Sequence, residues 1–175
     1  MKFIVAAGLT LCLAPSVLSS VIPVPVPVDL SPTLDKRVVP LTPPQGSVTC
    51  LGYTVPESDI LAAINQGTAW ATTTPPTQMG SSNYPHIYNN YEGISFPNCA
   101  GSTIWEYPVL RYGSNPWVPA KNTKLPTGPN GEKEPDRVIF APANANTVTY
   151  CGMITHDPTK LTNAGKLGAF VPCTV

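Results

Sequence analysis

This sequence of 175 residues has little charge, only two histidines and no apolar run long enough to span a membrane. Charged residues make up 11% of it, against about 25% in an ordinary soluble domain. Ten basic and ten acidic side chains give a formal net charge of zero, which argues against a polybasic protein that binds nucleic acid or membranes by charge alone. Proline is abundant instead, with 22 residues, and this density argues against a helix bundle because proline breaks long helices.

Residues 1–20 have the composition of a secretory signal peptide. Lys2 precedes the apolar run 3–13, and the small residues Ser19 and Ser20 suit a signal peptidase. A membrane anchor is the weaker alternative, because the apolar run is too short to cross a bilayer. We therefore expect an exported, extracellular protein.

Residues 21–44 form a proline-rich segment that favours an extended, disordered chain rather than a core. The dibasic pair Lys36-Arg37 predicts removal of a pro-peptide after Arg37, and two solvated charges are the alternative. Cleavage there leaves residues 38–175, with seven basic and eight acidic side chains and a formal net charge of −1. We expect the folded domain to span residues 45–175. A proline-rich wall or matrix protein is an alternative that this short segment alone suggests.

Four cysteines follow the predicted signal peptide, namely Cys50, Cys99, Cys151 and Cys173. An even number of cysteines in an oxidising compartment predicts disulfides, and three pairings are open. A zinc site is the alternative, disfavoured because no two of these cysteines have the C-x₂₋₄-C spacing.

One helix is predicted to begin at residues 57–59, which supply capping oxygens and negative charge. Its apolar face has helical spacing and consists of Ile60, Leu61 and Ile64. Gly67 ends the helix or Trp70 continues it, and Pro75 stops it.

The rest of the chain predicts short strands, at 93–96, 104–110, 137–140, 147–155 and 169–173. One helix followed by strands indicates an α+β domain with the helix packed on one face of an antiparallel sheet. Residues 113–135 form a long loop of the kind that is often functional or mobile.

A polar, tyrosine-rich block occupies residues 84–93, with the sequence Tyr-Pro-His-Ile-Tyr-Asn-Asn-Tyr-Glu-Gly. Alternation along a strand places Tyr84, His86 and Tyr88 on one face. The turn that follows offers peptide N–H groups and the Glu92 carboxylate to the edge of a flat polar ring, while a tyrosine stacks on its face. A purine pocket and a simple tyrosine-rich hairpin are both consistent with this block.

Three further polar residues lie in strand-like runs, namely Glu106, Arg137 and His156. A lone charged residue in such a strand usually faces solvent. If these three share one sheet face with His86, they supply a base, an acid and a cation for phosphoryl transfer.

The order of these blocks resembles that of the fungal extracellular guanyl-specific ribonucleases. The block 84–93 is followed by 106–110, 136–140, 152–156 and 170–174, so the resemblance covers about residues 50–174. It implies one long helix on a twisted antiparallel sheet stapled by disulfides. It also implies a monomer that acts on single-stranded RNA, with neither DNA nor a membrane as partner and with no metal or cofactor. Such enzymes cleave 3′ of guanosine through a 2′,3′-cyclic phosphate, which is then hydrolysed to a 3′-phosphate.

The resemblance also implies roles for individual residues. Glu106 is the general base, His156 is the general acid, and His86 assists Glu106 as an imidazolium. The phosphate is flanked by Arg137, Tyr84 and Phe170. The guanine site consists of Tyr88, Asn89, Asn90, Tyr91 and Glu92. The disulfides implied are Cys50–Cys173 and Cys99–Cys151.

Two alternatives within this superfamily remain. The long loop 113–135 suggests a ribotoxin-like effector acting on host ribosomal RNA, but ribotoxins are strongly basic and this chain is not. A catalytically dead relative that binds RNA or a partner is the other, disfavoured because Glu106, Arg137 and His156 are all present.

Overall fold

The computed structural model describes residues 39–42, 44–159 and 168–175. The predicted signal peptide, the expected processing site after Arg37 and most of the proline-rich segment lie outside these residues. Within the described ranges, no helix is long and apolar enough to cross a bilayer.

Helix α1 spans Glu57–Ala71 and packs on the sheet through Ile60, Ile64 and their neighbours. It differs from expectation in two respects. No side chain caps its N-terminus, although Glu57 and Asp59 do place negative charge in the first turn, where the helix dipole favours it. Leu61, expected on the buried face, is only half-buried, since the face that meets the sheet continues through Gly67 to Ala71.

The main sheet has six strands in the part of the chain described. Its antiparallel centre comprises β4 (His86–Ile87), β5 (Trp105–Pro108), β6 (Asp136–Asn144) and β7 (Thr147–His156). Two short strands flank β7, with β8 (Phe170–Pro172) antiparallel at its C-terminal end and β1 (Val39–Thr42) parallel at its N-terminal end. A separate hairpin pairs β2 (Val48–Cys50) with β3 (Tyr53–Val55). The α+β fold expected from the sequence is therefore confirmed.

Two sequence expectations about strands need correction. Residues 93–96 are irregular rather than a strand. The Asn90 side chain donates to the Ile94 carbonyl and accepts from the Ile94 N–H, both at 2.8 Å. Both backbone groups of Ile94 are therefore used and cannot pair with a neighbouring strand. Strand β1 lies inside the segment expected to be disordered, so among the described residues there is regular structure before residue 45.

The two faces of the sheet carry different clusters. The helix-side cluster includes Ile60, Ile64, Tyr107, Val138 and Phe140. The opposite face carries a second, smaller cluster that includes Tyr88, Cys99, Ile139, Cys151 and Ile154. Alternation along β6 puts Val138 and Phe140 on the helix side and therefore turns Arg137 and Ile139 to the opposite face.

Both expected disulfides are present. Cys50 pairs with Cys173 and ties β2 to the C-terminus, while Cys99 pairs with Cys151 on β7. All four thiols are thereby used, which rules out the zinc alternative for these cysteines.

The loop 113–135 is anchored at both ends. The Tyr107 hydroxyl donates to the carbonyl of Trp117, whose ring is buried. At the other end, the buried Glu134 carboxylate accepts the peptide N–H groups of residues 111–112, each at 2.7 Å. These contacts hold the loop along one side of the sheet.

Candidate active site

Strands β4 to β7 bring the predicted catalytic side chains to the sheet face opposite the helix. His86 on β4 pairs directly with Glu106 on β5, Arg137 lies at the start of β6, and His156 ends β7. His156 in turn pairs with Phe170 on β8. Four separate strands therefore converge on one site.

A bulge in β7 determines which way His156 faces. Residues 139–140 of β6 pair with residues 152 and 150 of β7, so Cys151 has no partner across the ladder. Val148 and Tyr150 face the helix, and strict alternation would turn His156 the same way. The extra residue reverses that alternation and turns His156 to the site. Gly152, with a φ of 152°, allows the backbone conformation that follows the bulge.

Glu106 is buried at the centre of the site. Its Oε1 atom lies 2.9 Å from His86 Nε2, a contact at ion-pair distance that lacks hydrogen-bond alignment. Its Oε2 atom is 4.0 Å from Arg137 Nε and has no hydrogen-bond partner among the described residues. Burial raises the pKa of Glu106 to about 7, a shift that Arg137 opposes and Glu92 reinforces. A carboxyl group with this pKa can exchange a proton near neutral pH.

The guanidinium of Arg137 is buried and held by three hydrogen bonds. Nε donates to the Tyr84 hydroxyl at 2.8 Å, and Nη1 donates to the carbonyls of Glu134 and Asp136 at 3.1 and 2.7 Å. Burial raises the pKa of Tyr84, so its hydroxyl stays protonated and available as a donor. Arg137 and Tyr84 therefore hold two hydrogen-bond donors in fixed positions beside Glu106.

His156 is oriented by a backbone carbonyl and by a ring. Its Nδ1 lies 2.5 Å from the Gly168 carbonyl oxygen, and because a carbonyl only accepts, Nδ1 carries the proton. The imidazole stacks on Phe170 with ring centroids 3.8 Å apart. Nε2 is thereby left to face the site.

Burial also shifts both imidazoles toward their neutral forms. It lowers the pKa of His156 to about 4, although the Gly168 hydrogen bond acts in the opposite direction. Burial and the Arg137 charge lower the pKa of His86. The imidazolium expected beside Glu106 is therefore disfavoured in the free protein, and that role for His86 stays a prediction.

The predicted base-binding residues are joined to the site through Glu92 and Phe170. Glu92 Oε2 accepts from the Tyr88 hydroxyl at 3.1 Å, and Oε1 accepts from the Phe170 N–H at 3.3 Å. Asn90 has a positive φ of 51°, which shapes the turn that follows Asn89. Tyr91 is 90% exposed.

Tyr88 is placed differently from its neighbour Tyr91. Only 6% of it is exposed, and its ring meets Phe96 and Phe170 edge-on. Its hydroxyl, rather than its ring face, is directed at Glu92. Stacking of a base on Tyr88 therefore stays a prediction.

Sequence reasoning missed two contributors to the site. The Gly168 carbonyl fixes the tautomer of His156, but backbone groups leave no signal in a motif. Glu134 contributes twice: its backbone carbonyl accepts from Arg137, and its buried carboxylate anchors the long loop. The only indication of this in the sequence is that Glu134 lies two residues before the Asp136-Arg137 pair.

A carboxyl group, two imidazoles and a guanidinium on one sheet face of an α+β domain are the kinds of group that phosphoryl transfer needs. The family model for ribonuclease matches residues 43–174. The chain therefore belongs to the ribonuclease family, and the resemblance seen in the sequence is confirmed.

Individual relatives are similar over much of the domain. Guanyl-specific ribonuclease U1 of Ustilago sphaerogena is 32% identical over 110 residues, which are 63% of this chain and 84% of that protein. Guanyl-specific ribonuclease T1 of Aspergillus oryzae is 30% identical over 126 residues, or 72% of this chain and 77% of that protein. Guanyl-specific ribonuclease Pc of Penicillium chrysogenum is 54% identical over 75 residues, 43% of this chain and 56% of that protein.

Proposed function

We propose that this protein is a secreted endoribonuclease that cleaves single-stranded RNA on the 3′ side of guanosine. The reaction is transfer of the phosphate to the 2′-hydroxyl, followed by hydrolysis of the 2′,3′-cyclic phosphate to a 3′-phosphate. The observation that carries this proposal is the buried Glu106 Oε2 atom, which has no hydrogen-bond partner among the described residues and lies beside Arg137. A buried acceptor next to a fixed cation suits a hydroxyl that must lose its proton beside a phosphate.

In the first step, Glu106 takes the proton of the ribose 2′-hydroxyl. The 2′-oxygen bonds to phosphorus, the bond from phosphorus to the 5′-oxygen of the next nucleotide breaks, and His156 gives its Nε2 proton to that oxygen. Arg137 and the Tyr84 hydroxyl donate to the non-bridging oxygens, where negative charge grows.

The second step runs the same proton transfers in reverse. His156, now neutral, takes a proton from water, and the water oxygen attacks phosphorus. The bond from phosphorus to the 2′-oxygen breaks, and Glu106 returns its proton to that oxygen. Each group therefore acts once as acid and once as base, which is the pattern that a two-step reaction through a cyclic ester needs.

The ionisation of the free protein is compatible with this cycle. With a pKa of about 7, Glu106 is a stronger base than an ordinary carboxylate once it is ionised. His156 is neutral in the free protein at neutral pH, but an anionic phosphodiester bound next to it favours the imidazolium. Substrate binding would thus supply the charge that protonates the general acid.

Guanine recognition is assigned to Glu92. Its two oxygens accept from the Tyr88 hydroxyl and the Phe170 N–H, so the carboxylate is already held in place. Guanine presents two adjacent donors, N1–H and N2–H, which can pair with the two carboxylate oxygens, whereas adenine has no N1–H. The exposed Tyr91 ring can cover the base face. The names of the relatives, all guanyl-specific ribonucleases, support this preference.

Export is supported by the covalent structure. Two disulfides link the four cysteines that follow the predicted signal peptide, and such bonds persist in oxidising compartments.

The test uses the protein secreted from a host that processes its N-terminus and an RNA containing a single guanosine, in the presence of EDTA. We expect one cut, 3′ of the guanosine, and a cyclic phosphate that disappears with time. The Glu106→Ala and His156→Ala variants should each lose roughly 10²- to 10⁴-fold in rate. Glu57→Gln, at the start of helix α1, is the matched control and should retain activity. Folded protein that leaves the RNA intact, or variants that cleave as fast as wild type, would overturn the proposal.

A further inference from the structure

A cavity of about 540 Å³ opens beside the predicted catalytic residues, and Glu92 is not among the residues that line it. The predicted catalytic residues that line it are Tyr84, Arg137 and His156. None of the five predicted guanine-site residues lines it, and neither does Glu106 or His86. The volume lies within the range of about 300–1,000 Å³ that is typical of small-molecule sites.

The loop 113–135 forms the outer wall of this cavity. Lys124 and Lys133 line it, both are exposed, and neither forms an ion pair within the described ranges. Leu125 and Pro126 add a half-buried apolar surface between them. A wall with two free cations and an apolar patch suits a phosphate joined to a nucleoside.

One carboxylate also lines the cavity, that of Glu134. Both of its oxygens already accept peptide N–H groups, those of Arg111 and Tyr112, at 2.7 Å. Its charge is therefore partly compensated from within the protein, and the two lysines leave the cavity with a positive balance.

The position of the cavity relative to the reaction identifies which part of the RNA would enter it. In the proposed reaction the guanine pairs with Glu92, which does not line the cavity, and His156, which does, gives its proton to the 5′-oxygen of the next nucleotide. A strand that continues past His156 therefore enters the cavity that His156 lines. The material on that side is the leaving nucleotide and the phosphate that follows it.

We propose that this cavity binds the RNA strand downstream of the cleaved bond, with Lys124 and Lys133 on the next phosphate and Leu125 and Pro126 against the leaving nucleoside. This inference rests on the proposed function of the same site. It gives the long loop a role in binding polymeric substrate rather than in the chemical step.

The backbone around both lysines is fixed in advance of binding. Lys133 pairs with Thr127 across a short bridge, and the carbonyl of Thr123, next to Lys124, accepts the N–H of Ser81 at 2.8 Å. Little loop ordering is then left to oppose binding, which is the condition under which exposed charges add affinity.

The test compares two substrates that differ by one downstream phosphate, the dinucleotide GpC and the trinucleotide GpCpC. The Lys124→Ala/Lys133→Ala double variant should lose roughly five- to tenfold in kcat/KM on GpCpC, through KM, and change less than twofold on GpC. For GpCpC, a plot of log kcat/KM against log salt concentration should have a slope that is shallower by about 0.7 in this variant. That difference is the contribution of one contact to a phosphate of a single strand. Lys121→Ala is the matched control, because Lys121 belongs to the same loop but does not line the cavity.

The outcomes separate the two proposals. Equal loss on both substrates would mean that the lysines act on the reacting phosphate and would overturn the downstream site. No loss on GpCpC, or an equal loss in Lys121→Ala, would overturn it as well. Failure of the wild-type protein to cleave even GpC would instead overturn the proposed function, and the downstream site with it.

Discussion

Replacing Glu106 by glutamine should stabilise the protein at alkaline pH while removing its proposed general base. The carboxyl group is buried, and its Oε2 atom is 4.0 Å from Arg137 Nε, too far for a hydrogen bond. This oxygen has no hydrogen-bond partner among the described residues. Ionising it in that position costs more free energy than ionising it in the unfolded chain. Glutamine has nearly the same shape and never ionises, so the variant avoids this cost.

The magnitude follows from the pKa of Glu106, which rises from 4.5 to about 7 on folding. Below pH 4.5 the group is protonated in both the native and the unfolded state, so it does not change the free energy of unfolding with pH. As the pH rises from 4.5 to 7, the unfolded chain releases the proton while the native protein keeps it, so the free energy of unfolding falls. About 2.5 pH units at 1.36 kcal/mol each give a loss of about 3 kcal/mol, complete above pH 7. Stability that depends on neutral Glu106 is thus present at low pH and lost as the pH rises.

The assay is urea unfolding followed by tryptophan fluorescence, for wild type and Glu106→Gln, at pH 4 and pH 8. At pH 8 the variant should be more stable by about 3 kcal/mol, which shifts the urea midpoint by about 1 to 3 M. At pH 4 the two proteins should coincide, and this comparison is the internal control because all other titrating groups are shared. A difference between the two proteins that is the same at both pH values would refute the linkage between burial and ionisation.

Three further predictions address recognition, packing and the general acid. Glu92→Gln should lower kcat/KM on guanosine substrates by at least about 100-fold while adenosine substrates change little, measured with GpC and ApC, because the amide cannot accept both guanine donors. Gly67→Ala should lower the free energy of unfolding by about 1 to 3 kcal/mol despite better helix propensity, because its Cβ would lie 2.7 Å from the buried Phe140 ring; a rise in Tm would contradict this. Saturation with 3′-guanylate should raise the pKa of His156 from about 4 by at least one unit, seen in the imidazole proton NMR shifts, and an unchanged pKa would contradict the role of the phosphate.

The long elements of the fold follow from the sequence, whereas its short hairpin does not. Helix α1 and strand β7 were predicted close to their observed bounds, whereas β6 was predicted at its start but continues to Asn144. The β2–β3 hairpin turns through Leu51-Gly52, where both residues have positive φ. Leucine is a rare residue in that conformation, so the usual Asn-Gly signal for a two-residue hairpin is absent.

The members of the candidate site could be named from the sequence, but their ionisation could not. The motif blocks place His86, Glu106, Arg137 and His156 together, and the observed register agrees. Their pKa values depend on how deeply each side chain is buried and on the charges around it, and no motif encodes burial. The expectation of a cationic His86 illustrates this, because burial, and after it the charge of the same Arg137 that completes the site, lowers the pKa of His86.

The orientation of His156 shows how a single inserted residue joins folding to chemistry. Strand β7 must fill the helix-side core with Val148 and Tyr150, and it must also present an imidazole to the opposite face six residues after Tyr150. A regular strand cannot do both, because residues separated by an even number share a face. Cys151, the extra residue of the bulge, has no partner on β6 and so resolves the conflict. Its disulfide to Cys99 anchors the bulge at this position. The isolated Gly152 inside the strand is the sequence signal for this bulge, so the direction of the His156 side chain is encoded several residues before the histidine itself.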